Sequence, residues 1–380
     1  MSGGKVPVFL TVVLGVWTLM HLYVFLRLAA TPLVMAWLSR RGLLMLALAL
    51  WASYPLARIM HAQKWELLAQ PLECIGATWI GVILLLLVTM LVVDVFTAGG
   101  LLLPRLAPML RGVAVIAGGV LAVIALVQGL RPPVVREYEV TLAGLPRARD
   151  GMVLVVASDM HLGTLIGKAW LTRLVARING LRPDLIILDG DTIDGSIDHA
   201  EALAPVLGGL RAPLGVWAVT GNHEYYAGIE RCVRLLEEAG CGVLRGRRVE
   251  IVPGLSLAGV DDLAAHRRRG MDTPAIASVL TNHPPGAVIL LSHAPVQADA
   301  AAAAGAGLML SGHTHGGQIW PFGYLVRLNF PLLGGRYAVA GMPVIVCRGT
   351  GTWGPRMRLW RPCEMVRVTL RAAGQSRAER

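Results

Sequence analysis

Lysine is nearly missing from these 380 residues: it occurs only as Lys5, Lys64 and Lys168. The formal net charge is still +11, carried by arginine. The arginines are spread over both halves and not gathered into one run. The excess therefore reads as composition bias and not as a nucleic-acid footprint, and no nucleic-acid partner is expected. The one tight cluster, Arg267-Arg268-Arg269 after His266, reads as a solvated loop, with a phosphate or anionic-lipid contact as the sharper alternative. Cysteine is also scarce. Cys74, Cys232, Cys241, Cys347 and Cys363 are odd in number and form no CxxC, which excludes a disulfide framework and a zinc–cysteine site. Charge of either sign is thin, at 16% of residues against 55% hydrophobic, and mean hydropathy is +0.59. That is too apolar for one soluble domain.

The apolar excess lies at the front. Residues 6–26, 42–57, 75–93 and 112–130 carry almost no charge, and most approach the roughly 20 residues needed to cross hydrocarbon. The first run alone would suit a cleaved signal peptide, but three more follow it. The expectation is a transmembrane region over 1–130, with helices at 6–29, 42–60, 73–95 and 112–130. His21, Glu73, Asp94 and Gln128 are its few polar members. The ionisable ones lie near the ends, where snorkelling would bring them to water. The helices show no polar face of the kind a transport path needs, so they read as an anchor. One side of the membrane carries Lys5, Arg58, Lys64, Arg131, Arg136, Arg147 and Arg149, the other Arg27, Arg40, Arg41, Arg105 and Arg111. This asymmetry leans toward a cytoplasmic C-terminal domain.

Residues 131–150 read as a juxtamembrane linker, with Pro132-Pro133 stopping the last helix. From 151 to 372 the pattern is α/β, followed by a polar tail at 373–380. Short apolar runs at 152–157, 185–188, 214–219, 255–260, 287–291 and 308–310 read as buried strands. Helical spacing is found at 168–179, 200–210, 229–239 and 296–304. Further short strands fit 241–244, 250–252 and 365–370, and 337–340 with 343–347 fit a hairpin. The expected architecture is layered, with two sheets packed face to face and helices outside.

Five blocks each follow such a run: Asp159-Met160-His161, Gly190-Asp191-Thr192-Ile193-Asp194, Gly221-Asn222-His223-Glu224, Ser292-His293-Ala294 and Gly312-His313-Thr314-His315. Their positions put oxygen and imidazole donors at the C-terminal ends of strands. Two divalent ions about 3.5–4 Å apart can clamp a phosphoryl group, but they need ligands from several strand ends and a bridging carboxylate. In Asp159-x-His161, alternate residues point to one side. Gly190 lets the backbone approach an ion beside Asp191. Asn222 offers an uncharged oxygen, and His293, His313 and His315 add nitrogens suited to Mn, Fe or Zn. Asp194 is a candidate to orient a spare imidazole nitrogen. Taken singly these signals are weak, and a lone His293 is more often structural. The ordered set carries the reading. His199, His266 and His283 fall outside it and read as surface residues.

This ordered series resembles the calcineurin-like metallophosphoesterase superfamily over about 152–370, and more narrowly its YkuE-like, membrane-associated bacterial branch. The branch signatures appear as Ser158-Asp159-Met160-His161-Leu162-Gly163, as 312–318 (GHTHGGQ), and as the glycine-rich turn 348–356 followed by Arg361-Pro362-Cys363-Glu364. Cys363 stands where a proline is usual, a change expected to be silent. The resemblance implies an α/β domain of two packed mixed β-sheets flanked by helices. It implies one ion held by Asp159, His161, Asp191 and His315, and a second held by Asp191, Asn222, His293 and His313, with Asp191 shared. His223 would contact the phosphoryl group and serve the leaving oxygen, and a metal-held hydroxide would attack. The implied activity is metal-dependent hydrolysis of a phosphodiester, pyrophosphate or phosphomonoester at the bacterial inner membrane, with a lipid-linked substrate as one candidate. Arg348 and Arg356 are candidates to meet substrate phosphates. Four helices depart from relatives that carry only a signal segment. The alternative is a membrane scaffold or sensor that holds metals without turnover, against which stands the complete ligand set together with His223.

Overall fold

The computed structural model describes residues 5–195, 197–270, 276–281 and 285–373, with the backbone alone for 5–10, 268 and 269. His283 and nearly all of the tail lie outside these residues, as do the side chains of Arg268 and Arg269. The chain divides into two compact units: Met1–Leu130 with Gly354–Trp360, and Arg131–Trp353 with Arg361–Arg380.

Among the described residues the first unit holds four helices long and apolar enough to cross a membrane: Lys5–Ala29, Arg40–Ala62, Glu66–Thr97 and Ala107–Leu130. The third starts earlier than its apolar run suggests and keeps Pro71 inside. Small residues set the close crossings. A Cβ on Gly76 would strike the backbone of Tyr54, and one on Gly118 would strike Leu86, as expected where helices associate without water.

The ionisable residues do not snorkel; the structure corrects that expectation. Asp94 is buried and accepts from Arg111 Nε (3.0 Å) and Nη2 (2.8 Å), from Tyr23 Oη (2.6 Å) and from Arg27, whose Nε lies 2.6 Å away. Glu73 is buried with His61 Nε2 at 2.8 Å and Arg58 at 3.5 Å. His21 accepts from Trp79 Nε1 (2.8 Å) while its Nδ1 lies 2.9 Å from Trp17 O. Each group is satisfied inside the bundle, the usual solution for charge at membrane depth. Gln128 accepts from the backbone N of Trp360 at 2.9 Å.

Among the described residues the second unit has twelve strands: β1 (Val134–Leu142), β2 (Val153–Ala157), β3 (Leu185–Asp189), β4 (Val216–Val219), β5 (Cys241–Val243), β6 (Arg247–Val252), β7 (Leu255–Gly259), β8 (Ala287–Leu291), β9 (Leu308–Ser311), β10 (Gly335–Val339), β11 (Met342–Val346) and β12 (Glu364–Ala372). They form two mixed six-stranded sheets, ordered β1-β12-β2-β3-β4-β5 and β10-β11-β9-β8-β7-β6. β2 through β5 run parallel, as do β7, β8, β9 and β11. Side chains alternate strictly across each sheet. Leu154, Val156, Leu185 and Ile187 meet Leu257, Ile289, Leu291 and Leu310 in the core between the sheets. Val155, Ala157, Ile186 and Leu188 instead cover the Lys168–Gly180 helix side, and Val288, Leu290 and Met309 face a third cluster. Burial on both faces explains why these strands read as unbroken apolar runs.

Three local expectations change. Residues 131–150, read as a linker, contain β1, which pairs in parallel with β12, so the connection after Leu130 is short. The helix read at 200–210 is two pieces, Ile197–Glu201 and Ala204–Leu207, because Pro205 removes a backbone donor. Arg267 sits in a helix, Leu263–Arg269, capped by Asp262, and His266 beneath it is buried with its Nε2 2.7 Å from Tyr225 Oη.

Candidate metal centre

All five blocks lie just past the C-terminal ends of parallel strands: β2, β3 and β4 in one sheet, β8 and β9 in the other. Parallel strands aim their ends at one edge, the usual ligand edge of such sheets. Beyond the strands the first two blocks stay zipped together. Asp159 N donates to Gly190 O (3.0 Å), His161 N to Asp191 O (3.0 Å) and Asp194 N to Leu162 O (2.9 Å). The glycine-rich turn at 348–352 completes the cradle, with Thr350 N donating to Ser158 O (2.7 Å) and Gly351 N to Asp159 O (3.0 Å).

The backbone is forced at the donors themselves. Asp159, His161, Asp191, His313 and His315 all hold positive φ, between 48° and 69°. Non-glycine residues in this region are uncommon, and each costs on the order of 1–3 kcal/mol. Two glycines are required for another reason, close approach. A Cβ on Gly221 would overlap Asp191, and one on Gly190, itself at φ 77°, would overlap His293.

The donors, all buried except the half-buried His313, converge in two groups. Asp159, His161 and His315 bring ligand atoms within 4.8 Å of one another, and so do Asp191, His293 and His313. In the first, His161 Nε2 faces His315 Nε2 at 3.0 Å, and His315 Nε2 lies 3.3 Å from Asp159 Oδ1. In the second, His293 Nε2 lies 3.1 Å from Asp191 Oδ2. His293 Nε2 also reaches to 3.9 Å from Asp159 Oδ1, linking the groups. The Nδ1 of His293 is 2.7 Å from Asp189 O, a bond that turns Nε2 toward the site. Asn222, at the start of the Asn222–Ala227 helix, is buried, and its Oδ1 has no hydrogen-bond partner among the described residues. An unpartnered buried carbonyl costs about 1–3 kcal/mol. A cation beside it would remove that cost, so the residues present fit a metal pair.

The charges are strongly coupled. Burial pushes the Asp159 carboxyl upward and Asp191 adds to this. At Asp191 burial acts the same way, but the imidazoles of His293 and His223 prevail and hold it well below the carboxylate range. His223 and Asp194 form a third group with His161. Asp194 Oδ1 is 2.8 Å from His223 Nδ1, and its Oδ2 is 3.4 Å from His161 Nδ1. Burial alone would lower the His223 pKa, but Asp191 and the bond to Asp194 raise it to about 9. Burial would raise Asp194, yet its two imidazole partners pull it far down. The His223 ring stands edge-on to Tyr226 (5.3 Å) and Trp353 (6.0 Å).

The two arginines are placed differently. Arg348 lies against Gly316, but its Nη1 is 3.1 Å from the fully buried Glu364, whose Oε1 also accepts Arg348 N at 2.9 Å. It braces the motif. Arg356 falls in the helical unit, where its carbonyl packs on Gly129.

Sequence reasoning missed Glu224 and Asp189. Glu224 is fully buried and accepts three backbone N–H groups: Gly221 (2.7 Å), Ile193 (3.0 Å) and Asp191 (3.1 Å). Its place three residues after Gly221, as in a capping box, was the available signal. Glu224→Ala strands all three donors at about 1–3 kcal/mol each. Thermal unfolding should show a loss of several kcal/mol, and metal affinity should fall about 10–100-fold; unaltered affinity would remove Glu224 from any positioning role. Asp189 is buried with both carboxyl oxygens unpartnered among the described residues, and burial, with Asp159 adding, pushes it up to about 8. No motif spacing marked it.

Comparison with known proteins agrees with this geometry. Residues 152–317, which include every block, match the family model described as calcineurin-like phosphoesterase. A metallophosphoesterase of Aquifex aeolicus is 38% identical over 243 residues, covering 63% of this chain and 92% of that one. A transmembrane protein with metallophosphoesterase domain from Danio rerio is 35% identical over 274 residues, covering 68% of this chain and 62% of its own length. The metallophosphoesterase YkuE of Bacillus subtilis is 29% identical over 261 residues, covering 64% and 88%. With its strand-end donors, its two mixed sheets and these relatives, the chain belongs to the calcineurin-like metallophosphoesterases.

Proposed function

We propose that the chain is a membrane-anchored phosphoesterase that works with two divalent ions, Mn, Fe or Zn, on a phosphodiester, pyrophosphate or phosphomonoester. The observation that carries this is the forced backbone at Asp159, His161, Asp191, His313 and His315, since strain concentrated on would-be ligands is maintained where function needs it. Asp159, His161, Asp191 and His315 would hold one ion, and Asp191, Asn222, His293 and His313 the other. The ions would supply Lewis acidity and lower the pKa of a bound water from about 15.7 toward 7.

The protein's own groups do the rest. Asp191 and Asn222 together bring only one negative charge to their ion, which leaves room for an anionic ester. His223, held by Asp194 at 2.8 Å, would bond the phosphoryl oxygens and, in its protonated form, give its Nε2 proton to the departing oxygen. Asp194 holds the ring through Nδ1, so that Nε2 would be the nitrogen offered to the ester, and would stabilise the ring's charge. Tyr226 and Trp353 stand edge-on to the ring. The four helices support a location at the membrane, and a lipid-linked phosphoester is the substrate class that such a location favours.

Full-length protein in detergent, stripped with chelator and resupplied with Mn²⁺, tests the reading with bis-p-nitrophenyl phosphate. Hydrolysis should depend on added metal. His223→Gln should keep its metal content yet lose about 10²–10⁴-fold in kcat, the usual contribution of a placed acid. Equal turnover by metal-free protein would overturn the proposal.

A further inference from the structure

The segment 320–329 exposes most of its large apolar side chains. It comprises a turn, Trp320 to Phe322, and a helix, Gly323–Asn329, that has no buried residue. Tyr324 is 67% exposed, Leu325 58% and Leu328 80%, and Trp320 and Phe322 are also exposed. Leu328 is three residues from Leu325 and four from Tyr324, so the three share one helix face. Contiguous apolar surface of this kind marks an interaction site.

The helix is fastened to the metal centre at both ends. A Cβ on Gly317, two residues past His315, would strike the backbone of Gly323. At the other end Phe330 sits edge-on to His313 with ring centroids 4.7 Å apart. Whatever covers this face is therefore held beside the proposed phosphoryl site. Charge also has a sign here. Arg327, in the last turn, lines a cavity of about 20 Å³ with Arg348, Arg361 and Tyr337. Aromatic and leucine side chains beside arginine are the composition of elements that lie in a membrane interface.

We infer that this segment docks on a bilayer containing anionic lipid, with Trp320, Tyr324, Leu325 and Leu328 among the headgroups and Arg327 toward lipid phosphate. A bilayer is favoured as the occupant because the chain brings one with it. Only Arg131, Pro132 and Pro133 separate Leu130 from Val134, a span of about 10 Å at full extension. The inference rests on the reading of the four helices as membrane spans.

The test uses full-length Cys74→Ser protein reconstituted in phosphatidylcholine–phosphatidylglycerol vesicles, the other four cysteines being buried. A fluorescent label is placed at Leu328→Cys or, as a water-facing control, at the exposed position Glu237→Cys. Flotation of the vesicles comes first; protein that fails to float overturns the membrane reading itself. For floated samples, lipids brominated in the acyl chain should quench the Leu328→Cys label at least about twofold more than the Glu237→Cys label, as for a side chain seated about 5–10 Å into the interface. Iodide in the water should quench it less than the control label. Equal iodide quenching without bromolipid quenching would show that the face meets water, and the docking would be wrong. Protection from iodide that follows protein-to-lipid ratio, without bromolipid quenching, would assign the face to a second copy and overturn it equally.

Discussion

Asp191→Ala is expected to abolish measurable phosphoesterase activity, with a loss of about 10³-fold or more in kcat/KM, the scale of removing charge stabilisation from both sides of a transferring group. The carboxylate has two tasks. Its Oδ2 lies 3.1 Å from His293 Nε2, and its Oδ1 accepts from the backbone N of His223 at 2.8 Å. The first aims one donor of the second metal group, and the second anchors the start of the helix that carries Asn222 and His223. Alanine removes both, so metal content by elemental analysis should fall from two ions per chain to one or fewer. Asp191→Asn separates the tasks. It can still accept the His223 N–H and should unfold near the wild-type temperature, yet it should remain metal-poor and inactive. Wild-type activity in Asp191→Asn would mean that the two donor groups do not share this residue.

The second large effect concerns stability. Asp94→Ala is expected to destabilise the helical unit by about 3–5 kcal/mol, the range for removing one partner of a buried ion pair. Asp94 holds Arg111, Arg27 and Tyr23 together. Arg27 is 31% exposed and can turn outward, whereas Arg111 is 7% exposed and would keep, among the described residues, its bond to Gly99 O. Arg27→Ala should therefore cost clearly less than Asp94→Ala, because Asp94 would retain Arg111 and Tyr23. Thermal unfolding of full-length protein in detergent measures both. Equal midpoints for Asp94→Ala and wild type would show that the cluster is a surface feature with no structural task.

The strands that lie inside the sheets were legible because burial on both faces leaves nothing but apolar residues; β8, at Ala287–Leu291, matches its run to the residue. β1 was not legible. Val134–Leu142 carries Arg136, Glu137 and Glu139, and its inner residues are confined to one end. Such an edge strand looks like a linker until its partner is known, and that partner, β12, lies more than two hundred residues further on. The helical polar residues failed for the same reason. Asp94 and Arg111 read separately as end residues, and only the crossing of their helices makes them a pair.

The chemical inventory belonged to the sequence: oxygen and nitrogen donors after apolar runs, glycines where a side chain would not fit, and four stretches apolar enough for hydrocarbon. These are short-range properties, set by side-chain period and backbone sterics within a few residues. The packing of two sheets and of four helices decided the rest. It divided the donors into groups, gave Asp194 to His223, gave Glu224 to three backbone amides and closed Glu364 around Arg348. Each of these is a contact between segments far apart in the chain, and its energy exists only once burial has removed water from both partners.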